Sequence, residues 1–512
     1  MEVIRRRAAR AAFMLCAALA GVACRPAAPR TAPPAPVPAA SAASPPAAPR
    51  GIRQLRADLE AIVGTPVLAR GYWAVEARSL DRRDTLFSLN AHKLMMPASA
   101  LKLVTLAAAA ERLGWDFRYR TTLLAAGHVD DGVLEGDLVV VGSGDPSLTE
   151  ETAPPVFAAW ADELKQAGIE AVAGRLIGDD NAFDDDALGM GWSWDDLPEA
   201  FAAGVGALQF NENMARLVVA AGATVGAAAL ASVEPGSAGL TVRNHLVTAA
   251  ADTPGRVELR RSPGDAAVDV FGSLPLGNPR AVRLLSVDNP TRFFVSALRA
   301  ALVGAGIDVR GPAVDIDDLA GPPADEDGAA AIATHWSPPL STLAVRLMKD
   351  SQNLYGETLL RTLGAIAGTP TADGGLAEAS SVLAGWGVPA GSLIQRDGSG
   401  LSRYNYITAD AFVAVLEHVD GDGALKAPFE SSLPVAGVDG SLERRMKGTA
   451  AEGRALAKTG SMSNVRALAG YVTTGDGERL AFAILANNFE APPSAITAAA
   501  DAIVVRLAQF RR

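Results

Sequence analysis

The spacing of apolar residues predicts helices at both ends of the chain and strands beside the first one. Residues 52–63, 95–114 and 492–510 have apolar positions three or four apart, which predicts a helix in each segment. Segments 71–80 and 85–90 are rich in apolar and β-favouring residues on either side of a polar turn. We therefore expect a helix, two strands and a second helix at the start of the folded chain.

The end of the chain predicts elements that complement those at its start. Residues 464–489 have the pattern of a hairpin that turns at Asp476-Gly477, ahead of the closing helix. Helix and strands first, and hairpin and helix last, predict one α/β domain made from residues 51–120 and 330–512.

The middle of the chain, residues 121–329, has a different pattern, and we call it the middle region. Short strand-like runs such as 132–144 and 174–183 alternate with turns rich in Gly, Asp and Pro, and residues 289–307 predict one amphipathic helix. No fixed-period repeat is visible, which argues against a solenoid. The pattern predicts a β-rich insertion within the domain built from the two ends.

The N-terminus predicts export from the cytoplasm. An arginine-rich start precedes an apolar stretch, residues 11–23, that is too short to span a bilayer. Residues 1–24 therefore predict a signal peptide, and the Pro/Ala-rich residues 25–50 predict a linker. Cys24 stands where a bacterial lipoprotein carries its lipid, but Gly21 and the small residues nearby equally suit ordinary cleavage. We expect a periplasmic or outer-envelope protein, with or without a lipid anchor.

Composition excludes several classes of function. The chain has 512 residues, 49 % of them hydrophobic, and a net charge of −11, which disfavours binding to nucleic acid or to anionic membranes. Both cysteines, Cys16 and Cys24, lie in the leader, so the mature chain has no disulfide, cysteine nucleophile or thiolate metal site. The histidines lack H-E-x-x-H spacing and no Walker loop is present. We expect no metal and no cofactor.

Ser99 and Lys102 form the first of three short patterns that could carry chemistry. In "SALK" the two side chains lie three residues apart near the start of a predicted helix, so they share one face. A partly desolvated lysine can accept the proton of a serine hydroxyl. A capping serine beside a solvent-facing lysine is the alternative.

The other two patterns supply complementary groups. Ser351 and Asn353 of "SQN" fall near the start of a helix predicted over residues 348–365, where they could equally be capping residues. The "KTGS" pattern, Lys458–Ser461, precedes a predicted strand over 465–474 and suits either an edge strand that binds a carboxylate or a plain turn. Together the patterns offer a nucleophile, a base, a proton relay and a carboxylate anchor.

In that order, the three patterns resemble the Ser-x-x-Lys, Ser-x-Asn and Lys-Thr-Gly set of penicillin-binding proteins. The chain is similar to the class C penicillin-binding proteins of low molecular mass, the D-alanyl-D-alanine carboxypeptidase/endopeptidase family (peptidase family S13). The resemblance covers about residues 51–510. Further stretches that carry it are "GSGDPSLT" (142–149), "ALQFNEN" (207–213), "DGSGLSRYNYIT" (397–408) and "LPVAGVDGSLERRM" (433–446).

The family resemblance implies a fold and a reaction. The fold is α/β, a transpeptidase-like or serine β-lactamase-like domain with a five-stranded antiparallel sheet flanked by helices. About 250 residues separate Ser99 from Ser351, and in the family this excess comprises two accessory domains, one nested in the other. The implied substrates are D-Ala-D-X bonds of peptidoglycan stem peptides, with β-lactams as covalent inhibitors.

The resemblance also implies roles for individual residues. Those residues are Ser99 as nucleophile, Lys102 as general base, Ser351 as proton relay, Asn353 and Lys458 as positioning groups, Thr459 as carboxylate anchor, Gly460 as the small residue that admits the substrate backbone, and Ser461 as oxyanion-hole donor with the Ser99 backbone N–H. Arg403 is a further candidate for a substrate carboxylate, and a solvated or structural arginine is the alternative there.

Two departures and two rival functions complete the picture. Gln352 replaces the usual Asp, where we expect a change in packing more than in chemistry, and Ser461 replaces a common Thr. One rival is a serine β-lactamase or esterase with the same chemistry. The other is a wall-binding or scaffolding protein with a vestigial site.

Overall fold

We describe the fold from a computed structural model, which describes residues 50–278, 280–321 and 329–512. Residues 1–49 lie outside the described residues. They comprise the predicted signal peptide 1–24, which includes Cys24, and all of the predicted linker except residue 50. Within the described ranges, no helix is both long enough and apolar enough to cross a membrane.

Helices occupy the segments near both ends that apolar spacing predicts. The α-helices of the described part are α1 (Arg50–Val63), α2 (Lys102–Leu113), α3 (Ala153–Gln166), α4 (Pro290–Gly304), α5 (Leu340–Lys349), α6 (Asn353–Ile366), α7 (Ala372–Gly385), α8 (Ala409–Gly421), α9 (Lys426–Ser432) and α10 (Pro493–Gln509).

Strands flank the helices at both ends and predominate in the middle region. They are β1 (Tyr72–Ser79), β2 (Thr85–Leu89), β3 (Arg120–Asp130), β4 (Val133–Val141), β5 (Ala171–Val172), β6 (Leu176–Asp179), β7 (Met214–Ala220), β8 (Leu230–Glu234), β9 (Val242–Ala249), β10 (Arg256–Arg260), β11 (Val268–Pro275), β12 (Ala281–Ser286), β13 (Asp308–Val309), β14 (Ala313–Asp315), β15 (Ala330–Trp336), β16 (Leu393–Ile394), β17 (Tyr406–Ile407), β18 (Ala455–Met462), β19 (Val465–Thr473) and β20 (Arg479–Asn487).

One sheet joins the two ends of the chain. Its five strands follow the order β18-β19-β20-β1-β2, and every neighbouring pair is antiparallel. Val75 of β1 lies opposite Ile484 of β20, so the first and last strands of the sequence pair directly. The predicted fold class and the hairpin through Asp476-Gly477 are confirmed. Gly477 has φ +90°, a conformation that residues with a Cβ rarely adopt.

The two faces of this sheet bury different sets of helices. Trp73 and Val75 belong to an apolar core shared with α1 and α10, whereas Ala74 belongs to a core shared with α2 and α8. This alternation follows from the period of two along a strand. Helix α2 is buried along almost its whole length, and a helix that is apolar on all sides is expected inside a protein. Its first residue is Lys102.

The middle region folds mainly as strands, with α3 and α4 packed among them. Strands β13-β5-β4-β3-β15, with β6 and β14, form the largest sheet, and β10-β11-β9 and β12-β7-β8 form two smaller ones. An apolar core of its own contains Phe157, Trp160 and Phe294. The β-rich pattern and the helix predicted at 289–307 are confirmed. The division into two nested accessory domains stays a prediction.

The helix predicted over residues 348–365 is wrong as a continuous element. Helix α5 ends at Lys349 and α6 begins at Asn353, with Ser351 between them in the left-handed region at φ +61°. A right-handed helix cannot pass through that conformation. Gln352 instead caps α6, because its side chain accepts a hydrogen bond from the backbone N–H of Leu354.

The helix predicted over residues 95–114 also begins later than its apolar pattern suggests. A short 3₁₀ turn, Ala98–Leu101, precedes α2, and Ser99 lies within this turn. Ala98 has φ +46°, which again breaks the regular helix. Ser99 is near a helix N-terminus, as predicted, but it belongs to the 3₁₀ turn that precedes α2.

Candidate active site

Two glycines allow other parts of the chain to approach the turn that carries Ser99. A Cβ on Gly400 would lie 2.0 Å from the carbonyl oxygen of Ala98, and a Cβ on Gly460 would lie 2.3 Å from that of Pro97. No side-chain carbon fits at either distance. The loop after β16 and the edge strand β18 therefore contact the turn through their backbones, on either side of a half-buried Ser99.

Lys102 is completely buried, so the alternative of a solvent-facing lysine is wrong. Its Nζ donates to Asn353 Oδ1 at 2.6 Å and to the Ser399 carbonyl at 2.7 Å, and it lies 3.1 Å from Ser99 Oγ. The nitrogen thus contacts oxygen atoms from the nucleophile turn, from α6 and from the loop after β16. These contacts leave the lysine no path to water.

Burial lowers the pKa of Lys102 to about 7, and the nearby charges of Asp397 and Glu357 offset only part of that effect. A neutral lysine has two N–H groups and one lone pair. The Asn353 oxygen and the Ser399 carbonyl can only accept, so they take the two N–H groups. The lone pair is then left for the hydroxyl proton of Ser99.

Lys458 forms a second buried pair with Ser351. Its Nζ donates to Ser351 Oγ at 2.7 Å and to the carbonyl oxygen of Thr459 at 3.0 Å. The side chain is fully buried, and burial together with the charge of Lys102 lowers its pKa well below the usual value. Lys458 lies inside the edge strand β18, so the plain-turn alternative is wrong.

Asn353 is held in one orientation by the middle region. Its Nδ2 donates to the backbone carbonyl of Phe201 at 2.7 Å, which turns Oδ1 toward Lys102. Gln352, one residue earlier, donates from Nε2 to Glu212, another residue of the middle region. The expected packing role of Gln352 fits this contact.

The groups meet in a cleft of about 340 Å³. Predicted residues lining it are Ser99, Ser351, Asn353, Arg403 and Ser461. Ser193, Asp196 and Phe201 of the middle region also line it, and no pattern in the sequence indicated these three residues. Arg403 is exposed and makes one long hydrogen bond, 3.4 Å, to the carbonyl of Ser463.

Thr459 lies on the other side of β18 from Lys458. Its hydroxyl donates to Ser441 Oγ at 2.8 Å, and its side chain lines a separate cavity that adjoins the cleft at Ser461. Neighbouring residues of a strand point to opposite faces, so Lys458 and Thr459 cannot both face Ser351. Thr459, the predicted carboxylate anchor, therefore lines the neighbouring cavity and not the cleft itself.

Two buried carboxylates behind the cleft were also missed. Glu357 accepts the backbone N–H groups of Gly398 and Ser399 at 3.0 and 2.8 Å, and Asp397 accepts that of Gly400 at 2.8 Å. Burial raises the pKa of Glu357. A signal existed for Glu357, which lies one helical turn after Asn353 on the same face of α6.

Metal-ligating side chains gather at two places in the described ranges, in the groups Glu111, His418 and Asp422, and Asp180, Asp315 and Asp317. Neither group includes a residue of the cleft. The polar side chains that line the cleft are serines, Asn353, Asp196 and Arg403, and Lys102 is buried behind Ser99.

The central sheet and the buried helix α2 supply the lysines of two serine–lysine pairs, Ser99 with Lys102 and Ser351 with Lys458. This arrangement is typical of penicillin-recognising serine enzymes. The family described as "D-Ala-D-Ala carboxypeptidase 3 (S13) family" matches residues 55–510. The chain belongs to this peptidase S13 family.

Individual relatives agree with this membership. A D-alanyl-D-alanine carboxypeptidase of Actinomadura sp. (strain R39) is 36 % identical over 473 residues, which cover 90 % of this chain and 85 % of that protein. The carboxypeptidase DacB of Haemophilus influenzae is 28 % identical over 418 residues, covering 81 % and 85 %.

Solved structures of the H. influenzae penicillin-binding protein 4 (dacB) share the fold. One has a TM-score of 0.78 at 25 % identity and covers 89 % of this chain and 99 % of that chain. A second, described as complexed with a novel β-lactam, has a TM-score of 0.71 at 25 % identity and covers 86 % and 96 %.

The lowered pKa of Lys102 predicts a pH dependence of serine acylation. Below about pH 7 the amine is protonated and cannot accept the Ser99 proton, whereas above it the amine is neutral. We expect the rate of acylation by a penicillin to rise with pH and to be half-maximal near pH 7. Rates measured from pH 5.5 to 9, with circular dichroism to confirm folding at each pH, test this. A rate that stays flat across the range contradicts it.

The close approach of β18 predicts that Gly460→Ala disables the site. The added Cβ would lie 2.3 Å from Pro97 O and must push the strand away from the Ser99 turn. Because a displacement of about 1 Å lowers rates by about 100-fold, we expect at least that loss in penicillin acylation. Gly385→Ala, where a Cβ meets open space, is the matched control. Wild-type labelling of the Gly460→Ala protein would show that the contact is unimportant.

Proposed function

We propose that this protein is a serine-type D-alanyl-D-alanine carboxypeptidase that acts on peptidoglycan stem peptides through an acyl-enzyme on Ser99. The observation that carries the proposal is the fully buried Lys102, whose Nζ lies 3.1 Å from Ser99 Oγ. Membership of the S13 family and the similarity to named D-alanyl-D-alanine carboxypeptidases support the substrate class.

In the first step, neutral Lys102 accepts the hydroxyl proton of Ser99 while Oγ attacks the carbonyl carbon of the D-Ala-D-X bond. The pKa of about 7 supports this role, since the free amine is then available near neutral pH. Asn353 and the Ser399 carbonyl hold the two N–H groups of Lys102, so its lone pair keeps the required direction.

Collapse of the tetrahedral intermediate breaks the C–N bond and requires a proton on the leaving amine. Ser351 donates its hydroxyl proton to the amine and recovers the proton that Lys102 accepted from Ser99, which leaves Lys102 neutral again. Lys458 holds Ser351 in place, with Nζ 2.7 Å from Ser351 Oγ. Two lysines buried near each other disfavour a double positive charge, which supports the movement of a proton between the two pairs.

The negative oxygen of the tetrahedral intermediate needs donors. The backbone N–H groups of Ser99 and Ser461 are our candidates, because both residues line the cleft and β18 contacts the Ser99 turn. In other hydrolases one such donor contributes about 3 kcal/mol to the transition state. Water then hydrolyses the ester and releases the shortened peptide.

A β-lactam contains a strained amide that the same serine can open. The H. influenzae homologue solved with a β-lactam supports binding of this class of inhibitor. We propose that the acyl-enzyme formed with a penicillin persists. A serine β-lactamase, the rival function, would turn the drug over, so steady hydrolysis of nitrocefin distinguishes the two.

Arg403 is proposed to meet a carboxylate of the stem peptide. Arg403 and Asp196 both line the cleft. Burial and the charge of Asp195 raise the pKa of Asp196, and the charge of Arg403 lowers it in part. A cation and a carboxylate in one cleft suit a substrate side chain that has both charges.

We further propose that residues 1–24 direct export to the periplasm or the outer face of the envelope, where peptidoglycan lies. A lipid on Cys24 would add a membrane anchor, and radiolabelled palmitate incorporation into the full chain but not into Cys24→Ala tests that point.

Covalent labelling tests Ser99 as the nucleophile. Wild-type protein incubated with a fluorescent penicillin should keep the label on a denaturing gel, and Ser99→Ala should lose it entirely. Ser193→Ala removes another serine of the same cleft and should label normally. An unlabelled wild type, or equal labelling of Ser99→Ala, would contradict the proposed mechanism and favour a scaffolding role.

Product analysis tests the peptidase reaction. Purified muropeptides treated with the wild type should lose a terminal D-Ala from pentapeptides, as seen by mass spectrometry, and the Ser99→Ala protein should leave them unchanged. Cleavage of cross-linked dimers in the same digest measures endopeptidase activity. Intact pentapeptides after treatment with a penicillin-labelling wild type would contradict carboxypeptidase activity.

A further inference from the structure

A second cavity, of about 250 Å³, lies against the edge strand β18 on the face that Thr459 occupies. Its floor is apolar and includes Trp73, Ile484 and Ile496, where the sheet packs on α10. Thr459, Ser441 and Ser461 place hydroxyl groups along one side. The cavity is thus apolar at its base and polar near the strand.

Two arginines line this cavity, and only one of them is neutralised. Arg445 forms an ion pair with Asp501, with Nη2 and Oδ1 2.6 Å apart. Arg466 donates from Nη1 to the carbonyl oxygens of Met462 and Val465 at 2.8 and 2.7 Å, and within the described ranges it has no carboxylate partner. Burial and the charge of Arg445 both lower the pKa of Arg466. An anion bound here would relieve both effects.

Strand register places Arg466 beside the hydroxyls. Ser461 of β18 lies directly opposite Arg466 of β19, and paired residues of antiparallel strands have their side chains on the same face. Thr459, two residues before Ser461, shares that face. A guanidinium and two hydroxyls therefore line one side of the sheet edge.

This cavity adjoins the cleft that contains Ser99. Ser461 lines both spaces, so a substrate group that lies at Ser461 could extend along β18 from the cleft into the cavity. When the scissile carbonyl of a peptide lies at Ser99, the residue on the C-terminal side of that carbonyl is the leaving residue. A carboxypeptidase substrate has its free carboxylate on this residue.

We propose that Arg466 binds the free carboxylate of the leaving residue, together with the hydroxyls of Thr459 and Ser461, and so makes the enzyme prefer a terminal acid over an amide. The inference rests on the proposed function and extends it to a specificity-determining residue. Its physical basis is the charge: a guanidinium interacts more strongly with a carboxylate than with a neutral amide.

The test compares two substrates that differ only at that group. Diacetyl-L-Lys-D-Ala-D-Ala and the same peptide ending in D-alaninamide are assayed for kcat/KM with wild type, Arg466→Gln and Arg466→Lys. We expect wild type to prefer the acid and Arg466→Gln to lower kcat/KM for the acid by about 10- to 100-fold, with little change for the amide. Arg466→Lys keeps the charge and should keep part of the preference.

Arg256→Gln is the matched control, because it removes one positive charge from an exposed residue in a different sheet. Its acid-to-amide ratio should equal that of wild type. If Arg466 has only a structural role in the β18–β19 turn, Arg466→Gln will lower kcat/KM for the acid and the amide alike. An unchanged acid-to-amide ratio in Arg466→Gln therefore overturns the proposal.

If Arg466→Gln does not fold, the acid-to-amide ratio of kcat/KM in the wild type still tests the proposal. Equal kcat/KM for acid and amide in the wild type overturns the role of Arg466 and leaves the proposed function standing. Failure to cleave either peptide overturns the proposed function itself. Preference for the acid that is lost in Arg466→Gln but kept in Arg256→Gln supports the inference.

Discussion

The arrangement of the site depends on the complete burial of one amino group. Lys102 starts a helix that is buried along almost its whole length, so its Nζ cannot reach water and must find its partners inside the protein. Oxygens of Ser99, Asn353 and Ser399 meet that need from three separate segments. One nitrogen thus fixes the positions of the nucleophile turn, the start of α6 and the loop after β16. The same burial lowers the pKa of Lys102 to about 7, so the amine can be unprotonated near neutral pH.

Two buried lysines in one site need nearby negative charge whenever either of them is protonated. Glu357 and Asp397 supply it, and both also accept backbone N–H groups of the loop that includes Ser399. The charges of these carboxylates raise the pKa of Lys102 against the larger effect of burial. Charge balance and loop geometry are therefore provided by the same side chains. Substitutions there should act on the site without touching a substrate.

The middle region takes part in the site and is more than an addition to the fold. The carbonyl of Phe201 orients Asn353, and Trp192 donates from Nε1 to Asp397 Oδ2 at 3.0 Å. Both contacts act through residues that already support Lys102. The wall of the cleft formed by Ser193, Asp196 and Phe201 comes from the same segment. Removal of the middle region would therefore disturb the reacting groups as well as the substrate contacts.

The sequence by itself determined the end-built sheet, the β-rich middle and the order of the three chemical patterns, because apolar periodicity and short motifs are local. It could not determine the break at Ser351, since the apolar spacing continues across a residue whose φ alone ends the helix. Only the tertiary structure decided that Lys102 is buried and that Thr459 faces a separate cavity. It also decided that the Phe201 carbonyl turns Asn353. Burial and backbone contacts depend on segments distant in the chain, and a backbone carbonyl has no signature in the sequence.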